Sequence, residues 1–398
     1  MLTWRRLIAG GIAAILAGGL FGSAPSGSAS VISPSASVAD PAAAPALTVE
    51  QMAHRLFVVT IAGRRAHHVS DAAAAYNLRN YGVRTPAEVV RRFQPGGVIY
   101  FANNISSVDQ VRQLSAGLQA AARRDGYRLL IMTDQEGGTV SRLPGIAAEQ
   151  PSAASYDGHP LPAQREARAV GAAMRRMGVL VDLAPDADVN TAGSASVIGS
   201  RSFGSTPGVV SRMLHAQVCG YHSGGVATTL KHWPGLGSVT VDPHQSLPTL
   251  TVPVHRWKRV DVTPFRNGIA DGTDLVMVTH LAYPALDPTG RPATLSYPLN
   301  GAWLRDKLGF RGVVITDSLT MGALRDYGDG ARLAVRAYRA GSDLLLMPPT
   351  PRAAAHGLVD AIRDGKIDEA DVQASVNRVD HLLDKLGLVP GPATLPGC

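Results

Sequence analysis

Eight short apolar runs recur along this chain, and segments of helical period separate them. The runs occupy residues 56–61, 97–101, 129–133, 180–183, 226–230, 275–279, 312–316 and 343–347. Each is nearly continuous in apolar and β-branched residues, the pattern of strands buried on both faces of a parallel sheet. Helical candidates between them include 108–124, 163–177, 207–223, 299–308 and 330–340. Eight strand–helix units within residues 47–388 fit one α/β domain, a single (β/α)8 TIM-type barrel without a second α/β sandwich domain. A doubly wound sheet is the competing arrangement. The helical pattern stops near Leu388, and residues 389–398 form a short Pro/Gly tail. With 398 residues, 45% of them hydrophobic and 17% charged, the chain can bury a sizeable core.

The N-terminus reads as a targeting segment. Arg5 and Arg6 precede an apolar run at 7–21, and small residues follow at Ser23, Ala24, Ser28 and Ala29. A signal peptide within 1–30 and an Ala/Ser/Pro-rich linker at 31–46 are expected, which implies a secreted or cell-envelope protein. An uncleaved anchor is the alternative, although the apolar run is short for a span. The formal net charge of +7 comes from scattered Arg residues rather than a basic stripe with interleaved aromatics. Nucleic acid is therefore not expected as a partner, whereas association with an anionic envelope is compatible with the charge. Cys219 and Cys398 are the only cysteines. One disulfide, or a buried Cys219 with a free Cys398, are both open.

Polar residues gather at or just after the strand ends. Thr133-Asp134-Gln135-Glu136 closes the third run, Asp186 and Asp188 follow the fourth, and Lys231-His232 follow the fifth. His280 follows the sixth run and Asp317-Ser318 the seventh. In a barrel these ends build one pocket, which points to an enzyme.

The stretch 231–244, KHWPGLGSVTVDPH, is the richest of them. Gly235 and Gly237 are expected to free the loop backbone and Pro234 to limit it. Asp242-x-His244 has the form of a tuned acid/base, with the carboxylate orienting the imidazole. Asp317 suits a nucleophile, a base or a ligand, but an Asp there also caps helices well. Asp134 is placed to hold hydroxyls, with Arg142 reaching the same ligand or pairing with an acid. A purely structural Asp–Arg or Glu–Arg pair, and an exposed loop position for Arg201, are the plainer alternatives. His-x-His, His-Glu-x-x-His and Cys-x-x-Cys patterns are lacking, so neither a metal nor a cofactor is expected.

Seven segments in order carry a wider resemblance. They are TDQEGGTVSR (133–142), SRSFGS (200–205), KHWPGLGSVTVDPH (231–244), VMVTHLAYPALDP (276–288), PATLS (292–296), GFRGVVITDSLTMGAL (309–324) and AGSDLLLMP (340–348). Together they resemble glycoside hydrolase family 3, in its single-barrel bacterial β-N-acetylglucosaminidase branch. The resemblance implies a retaining exo-glycosidase acting on terminal β-linked N-acetylglucosamine of glycan or muropeptide fragments. It assigns Asp317 as nucleophile and His244 with Asp242 as acid/base dyad. It places Asp134, Arg142, Arg201, Lys231 and His232 around the sugar, and a monomer is expected. Leu236 and Pro243 stand where the family usually carries His and Ser. A phosphorylase, a β-glucosidase and a noncatalytic glycan-binding envelope protein are the rival readings.

Overall fold

Pro185 stops the fourth strand early, because it has no N–H to give the ladder. That strand is Val181–Asp182, only two residues long. The computed structural model describes residues 46–143, 145 and 149–387. The expected signal segment, nearly all of the linker, the tail and Cys398 lie outside the described residues. Cys219 is buried and is not a free thiol. The described residues from Leu47 onward form one compact unit.

The strands are β1 (Phe57–Thr60), β2 (Gly97–Ile99), β3 (Leu130–Thr133), β4 (Val181–Asp182), β5 (Thr229–Trp233), β6 (Leu275–Val278), β7 (Val313–Thr316) and β8 (Leu345–Leu346). Parallel pairing joins β8-β1-β2-β3-β4 and, separately, β5-β6-β7. Parallel bridges at Val181↔Ala227 and Asp186↔Lys231 link β4 to β5, and Ile315↔Leu344 links β7 to β8. The eight strands therefore follow one another in chain order around a closed ring, as the repeat predicts.

Alternation along each strand splits the apolar residues between two sides. Val58, Ile99, Met132, Val181, Met277, Ile315 and Leu346 fill the barrel. Their neighbours Phe57, Val98, Ile131, Val276, Val314 and Leu345 pack outward beneath the helices. Both faces are covered, which explains runs without polar alternation.

The helix Glu369–Lys385 closes the end opposite the strand C-termini. Its Val379, Leu382 and Leu383 join the interior cluster, each contributing roughly 1.5–3 kcal/mol if fully buried. Lys385 Nζ donates to Asp274 at 2.7 Å, and Arg378 donates to Asp343 at 2.7 Å. Both acids precede strands, so the pairs tie this helix to the strand N-termini.

Helices Val108–Arg124 and Pro207–Ser223 match their expected bounds. The segment expected at 163–177 begins earlier, as Pro160–Arg176, with Pro at the first turn where its missing N–H is harmless. The segment Pro298–Lys307 is wound as a π-helix. Among the described residues no helix is long and apolar enough to cross a membrane.

One strand departs from expectation in a way that shapes the site. The fifth strand was expected at 226–230, yet Val226 lies outside the ladder and Ala227 makes only a single bridge. The strand instead runs on to Trp233, whose ring packs edge-on against Phe265 (5.2 Å) and Trp257 (5.7 Å). That aromatic contact anchors the strand end and makes Lys231 and His232 strand residues rather than loop residues. The pairing register with β6 shifts between Leu230 and Trp233. The Lys231–His232 and Trp233–Pro234 peptides are cis.

Candidate active site

Asp134 stands at the end of β3, and the chain then turns into a short antiparallel hairpin, Gln135–Gly137 with Val140–Ser141. Gly137 and Gly138 make that turn at φ of 89° and 54°, a region where residues with a Cβ are strained. Asp134 and Glu136 are two apart, so both carboxylates point to one side. Between them lies the Lys231 ammonium, 3.1 Å from Asp134 Oδ1 and 2.5 Å from Glu136 Oε1. Lys231 is only 2% exposed. Arg201 forks onto the same glutamate, with Nε donating to Oε2 at 2.7 Å and Nη2 to Oε1 at 2.9 Å. Burial disfavours the Glu136 carboxylate, but Lys231 and Arg201 outweigh it and bring its pKa down to about 2. Burial likewise opposes the Lys231 charge, and Glu136 and Asp134 hold its pKa above the ordinary lysine value.

His232 extends this cluster. Its Nδ1 lies 2.7 Å from Asp188 Oδ2, and Arg201 Nη2 lies 3.2 Å from Nε2. Asp186 and Asp188 overcome burial and raise the imidazole above its ordinary value, while Arg201 works against that charge. Asp186 is buried, and neither of its oxygens has a hydrogen-bond partner among the described residues. Burial, only partly offset by Arg201, pushes its carboxyl up to about 7. Asp186, Asp188 and His232 bring ligand atoms within 4.8 Å of one another. However, Arg201 Nε already stands 3.3 Å from Asp186, so a divalent ion there would face a guanidinium.

The loop after His232 meets expectation only in part. Residues 233–237 are all buried. A Cβ on Gly237 would lie 1.9 Å from Val189 O, and one on Gly235 would lie 2.9 Å from Asp261 Cβ. Gly237 therefore serves a close backbone approach, whereas Gly235, at φ 122°, supplies the backbone freedom expected of it as well as room for Asp261. Leu236 is 3% exposed within an apolar cluster, and its N–H donates to Asp188 Oδ1 at 2.6 Å. Exposure begins further on, around the dyad.

Asp261, beneath Gly235, has no hydrogen-bond partner on either oxygen among the described residues, and burial pushes its carboxyl up to about 7 despite Arg256. Asp188 faces it and raises it further. Only the unfolded chain ionises this group easily between its ordinary pKa of 3.8 and about 7, so it erodes stability as pH rises through that window. Asp261→Asn is thus expected to raise Tm at pH 8 relative to the parent and to change it little at pH 4. Equal shifts at the two pH values in thermal melts would contradict this.

Asp242 and His244 form the dyad within one tight turn. Gln245 N–H donates to Asp242 O at 3.0 Å, which puts Pro243 at the second turn position, where its fixed φ fits. Asp242 Oδ1 accepts the His244 N–H at 2.9 Å and lies 2.8 Å from His244 Nδ1. Burial would raise the Asp242 carboxyl, but the His244 bonds hold it below its ordinary value, with Arg201 contributing. The His244 side chain is 70% exposed, so the dyad sits at the rim.

Asp317 follows β7 and is half-buried. The helical turn after it is Gly322–Tyr327, with Met321 at its N-cap position, so Asp317 does not cap a helix. Ser318 N–H donates to Asp317 Oδ1 at 2.7 Å and Thr279 Oγ1 to Oδ2 at 3.3 Å. Burial opposes ionisation, but His280, His232, the Ser318 N–H and Lys231 together keep the carboxyl below its ordinary value. His280 is fully buried between Thr294 Oγ1 (2.6 Å) and Ser318 O (2.8 Å), and burial lowers its pKa.

Asp134, Arg201, Lys231 and His232 thus converge, and Asp317 feels the charges of Lys231 and His232. Arg142 stands apart. Its guanidinium carbon is 5.6 Å from the Phe101 ring centroid, and its buried Nε has no hydrogen-bond partner among the described residues. The Glu–Arg pair is made instead by Glu136 and Arg201. Glu136, Asp186, Asp188 and His280 belong to the arrangement without having been assigned a role from sequence. The two-residue spacing of Asp134 and Glu136 was the signal available for the first of them.

The family model for the glycosyl hydrolase family 3 N-terminal domain matches residues 75–382. The chain belongs to glycosyl hydrolase family 3. This family 3 barrel is 33% identical over 328 residues to β-hexosaminidase A of Pseudoalteromonas piscicida, covering 75% of this chain and 55% of that protein. It is 37% identical over 259 residues to a β-hexosaminidase of Xylella fastidiosa, covering 63% of this chain and 75% of the relative. The structure of a family 3 β-N-acetylglucosaminidase from Paenibacillus sp. str. FPU-7 superposes with a TM-score of 0.79 at 36% identity, over 87% of this chain and 64% of the other. The chain therefore spans a little over half the length of the first of these relatives.

Proposed function

We propose that this family 3 barrel is an exo-acting β-N-acetylhexosaminidase that hydrolyses terminal β-linked N-acetylglucosamine with retention. Asp317 attacks the anomeric carbon and forms a glycosyl-enzyme ester. His244 Nε2 protonates the leaving oxygen and then takes a proton from the incoming water, while Asp242 steadies Nδ1–H. A neutral imidazole in the second step sets no second carboxylate beside the intermediate, unlike the usual carboxylate pair. Asp134 accepts bonds from sugar hydroxyls, and Arg201, Lys231 and His232 supply donors around the ring, with Arg142 at the margin. The names of the relatives support the substrate class.

The observation that carries this reading is the pairing of an acid held ionised at the end of β7 with an Asp–His dyad already closed at 2.8 Å. Export and action on peptidoglycan fragments at the cell envelope are part of the same proposal. Export rests on the basic and apolar N-terminal sequence, and the peptidoglycan source on the family resemblance together with that export.

His244→Ala tests the dyad. Its kcat/KM is expected to fall about 10²–10⁴-fold for N-acetylglucosaminides with poor leaving groups and far less for a dinitrophenyl glycoside. Equal losses on both substrates would remove His244 as the acid. Assays with and without phosphate, scored for the sugar 1-phosphate, separate hydrolysis from phosphorolysis.

A further inference from the structure

Five residues of chain join the proposed nucleophile to the proposed dyad. Asp317 starts a segment whose Ser318 carbonyl is held by His280 and whose Leu319 N–H donates to Leu346 O at 2.9 Å. The segment then meets the dyad turn backbone to backbone. Gly322 N–H donates to His244 O at 3.0 Å, and Ala323 N–H donates to Pro243 O at 3.1 Å. A Cβ on Gly322 would lie 2.6 Å from His244 O and 2.6 Å from Gln245 O. Both obstacles are backbone carbonyls, which cannot swing aside as a flexible side chain does. Gly322 is absent from the positive-φ glycines, so its own conformation suits an alanine and the obstruction is purely one of contact.

We propose that Gly322 is a positioning residue that clasps the His244 turn onto the segment carrying Asp317, setting where the acid/base stands relative to the nucleophile. This rests on the assignment of His244 as acid/base. The dyad turn is otherwise exposed at Asp242, His244, Gln245 and Ser246 to differing degrees, while Pro243, which accepts from Ala323, is buried. The two clasp bonds therefore act at the dyad itself. A flexible acid/base loop loses rate because the proton-transfer atom must come within hydrogen-bond reach of the glycosidic oxygen.

Gly322→Ala is the test, read on two N-acetylglucosaminides with the full barrel. With the methoxyphenyl leaving group, kcat/KM is expected to fall about tenfold to a hundredfold, because departure of that group needs the acid. With the dinitrophenyl leaving group, kcat/KM should stay within about threefold of the parent, since its departure needs no proton. In that case kcat should fall, because water attack on the glycosyl-enzyme still needs the base. Parent-like values on both substrates, or equal losses on both, would overturn the proposal. Hydrogen exchange on the parent gives an independent reading if the variant does not fold. Slow exchange at the Gly322 and Ala323 amides is expected, and exchange at the rate of open chain would overturn the clasp. His244→Ala on the same pair of substrates separates failure of the clasp from failure of the dyad assignment.

Discussion

Asp317→Ala is expected to abolish hydrolysis of every β-N-acetylglucosaminide, with kcat/KM falling on the order of 10⁴-fold or more, the scale seen when a covalent nucleophile is removed. The carboxylate has the features the role needs. It ends β7 at the strand C-terminal face, is half-buried, and is held ionised by His280, His232 and Lys231 against the effect of burial. Its two oxygens accept one short bond from Ser318 N–H and one longer bond from Thr279. Removing them should leave the fold intact, since the Asp317 backbone N–H still donates to Val278 O at 2.8 Å. Far-UV circular dichroism and Tm close to the parent are expected alongside the lost activity. Asp317→Asn keeps an acceptor for Ser318 and should be equally inactive, which isolates the charge. Retained turnover of the dinitrophenyl glycoside in either variant would remove Asp317 from the nucleophile role.

Glu136→Gln should produce the largest loss of stability. Glu136 is the shared counter-charge of Lys231 and Arg201, and all three side chains are largely removed from water. Breaking a buried pair while leaving its cations in place costs about 3–5 kcal/mol. The pH dependence has a definite sign. The folded carboxyl sits at about 2 against an ordinary 4.5, so its stabilisation is present above the ordinary value and fades as pH falls toward 2. The gap between parent and variant in urea unfolding should therefore be wide at pH 7 and narrow near pH 2.5. A gap that does not change with pH would show that Glu136 acts through packing. Sugar binding should weaken too, because Lys231 and Arg201 would lose the acid that orients them.

Much of the fold is legible in residue order. The eight apolar runs became eight strands in a ring, since a strand covered on both faces must be apolar throughout. The Asp-x-His dyad is local as well. Its carboxylate and imidazole are two residues apart, and the proline between them favours the turn that closes the pair. Asp317 was legible as a polar residue ending an apolar run. Its freedom from a capping role was not, because the following turn starts only at Gly322. Of the two loop glycines, Gly235 takes the positive φ expected of a freed backbone, whereas the role of Gly237 was not legible. A glycine in sequence announces either freedom or crowding, and Val189 and Asp261, which do the crowding, come from other segments.

By itself, then, the sequence determined the strand order, the polar residues at each strand end and the local geometry of the dyad, because hydrophobic period and turn chemistry act over a few neighbouring residues. Only the tertiary structure decided that Glu136 is shared by Lys231 and Arg201, that Trp233 draws Lys231 and His232 into a strand, and that Gly322 meets His244. Those contacts join residues from 24 to 95 positions apart. Such distances are set when the ring closes and the helices pack around it, and no local propensity encodes them.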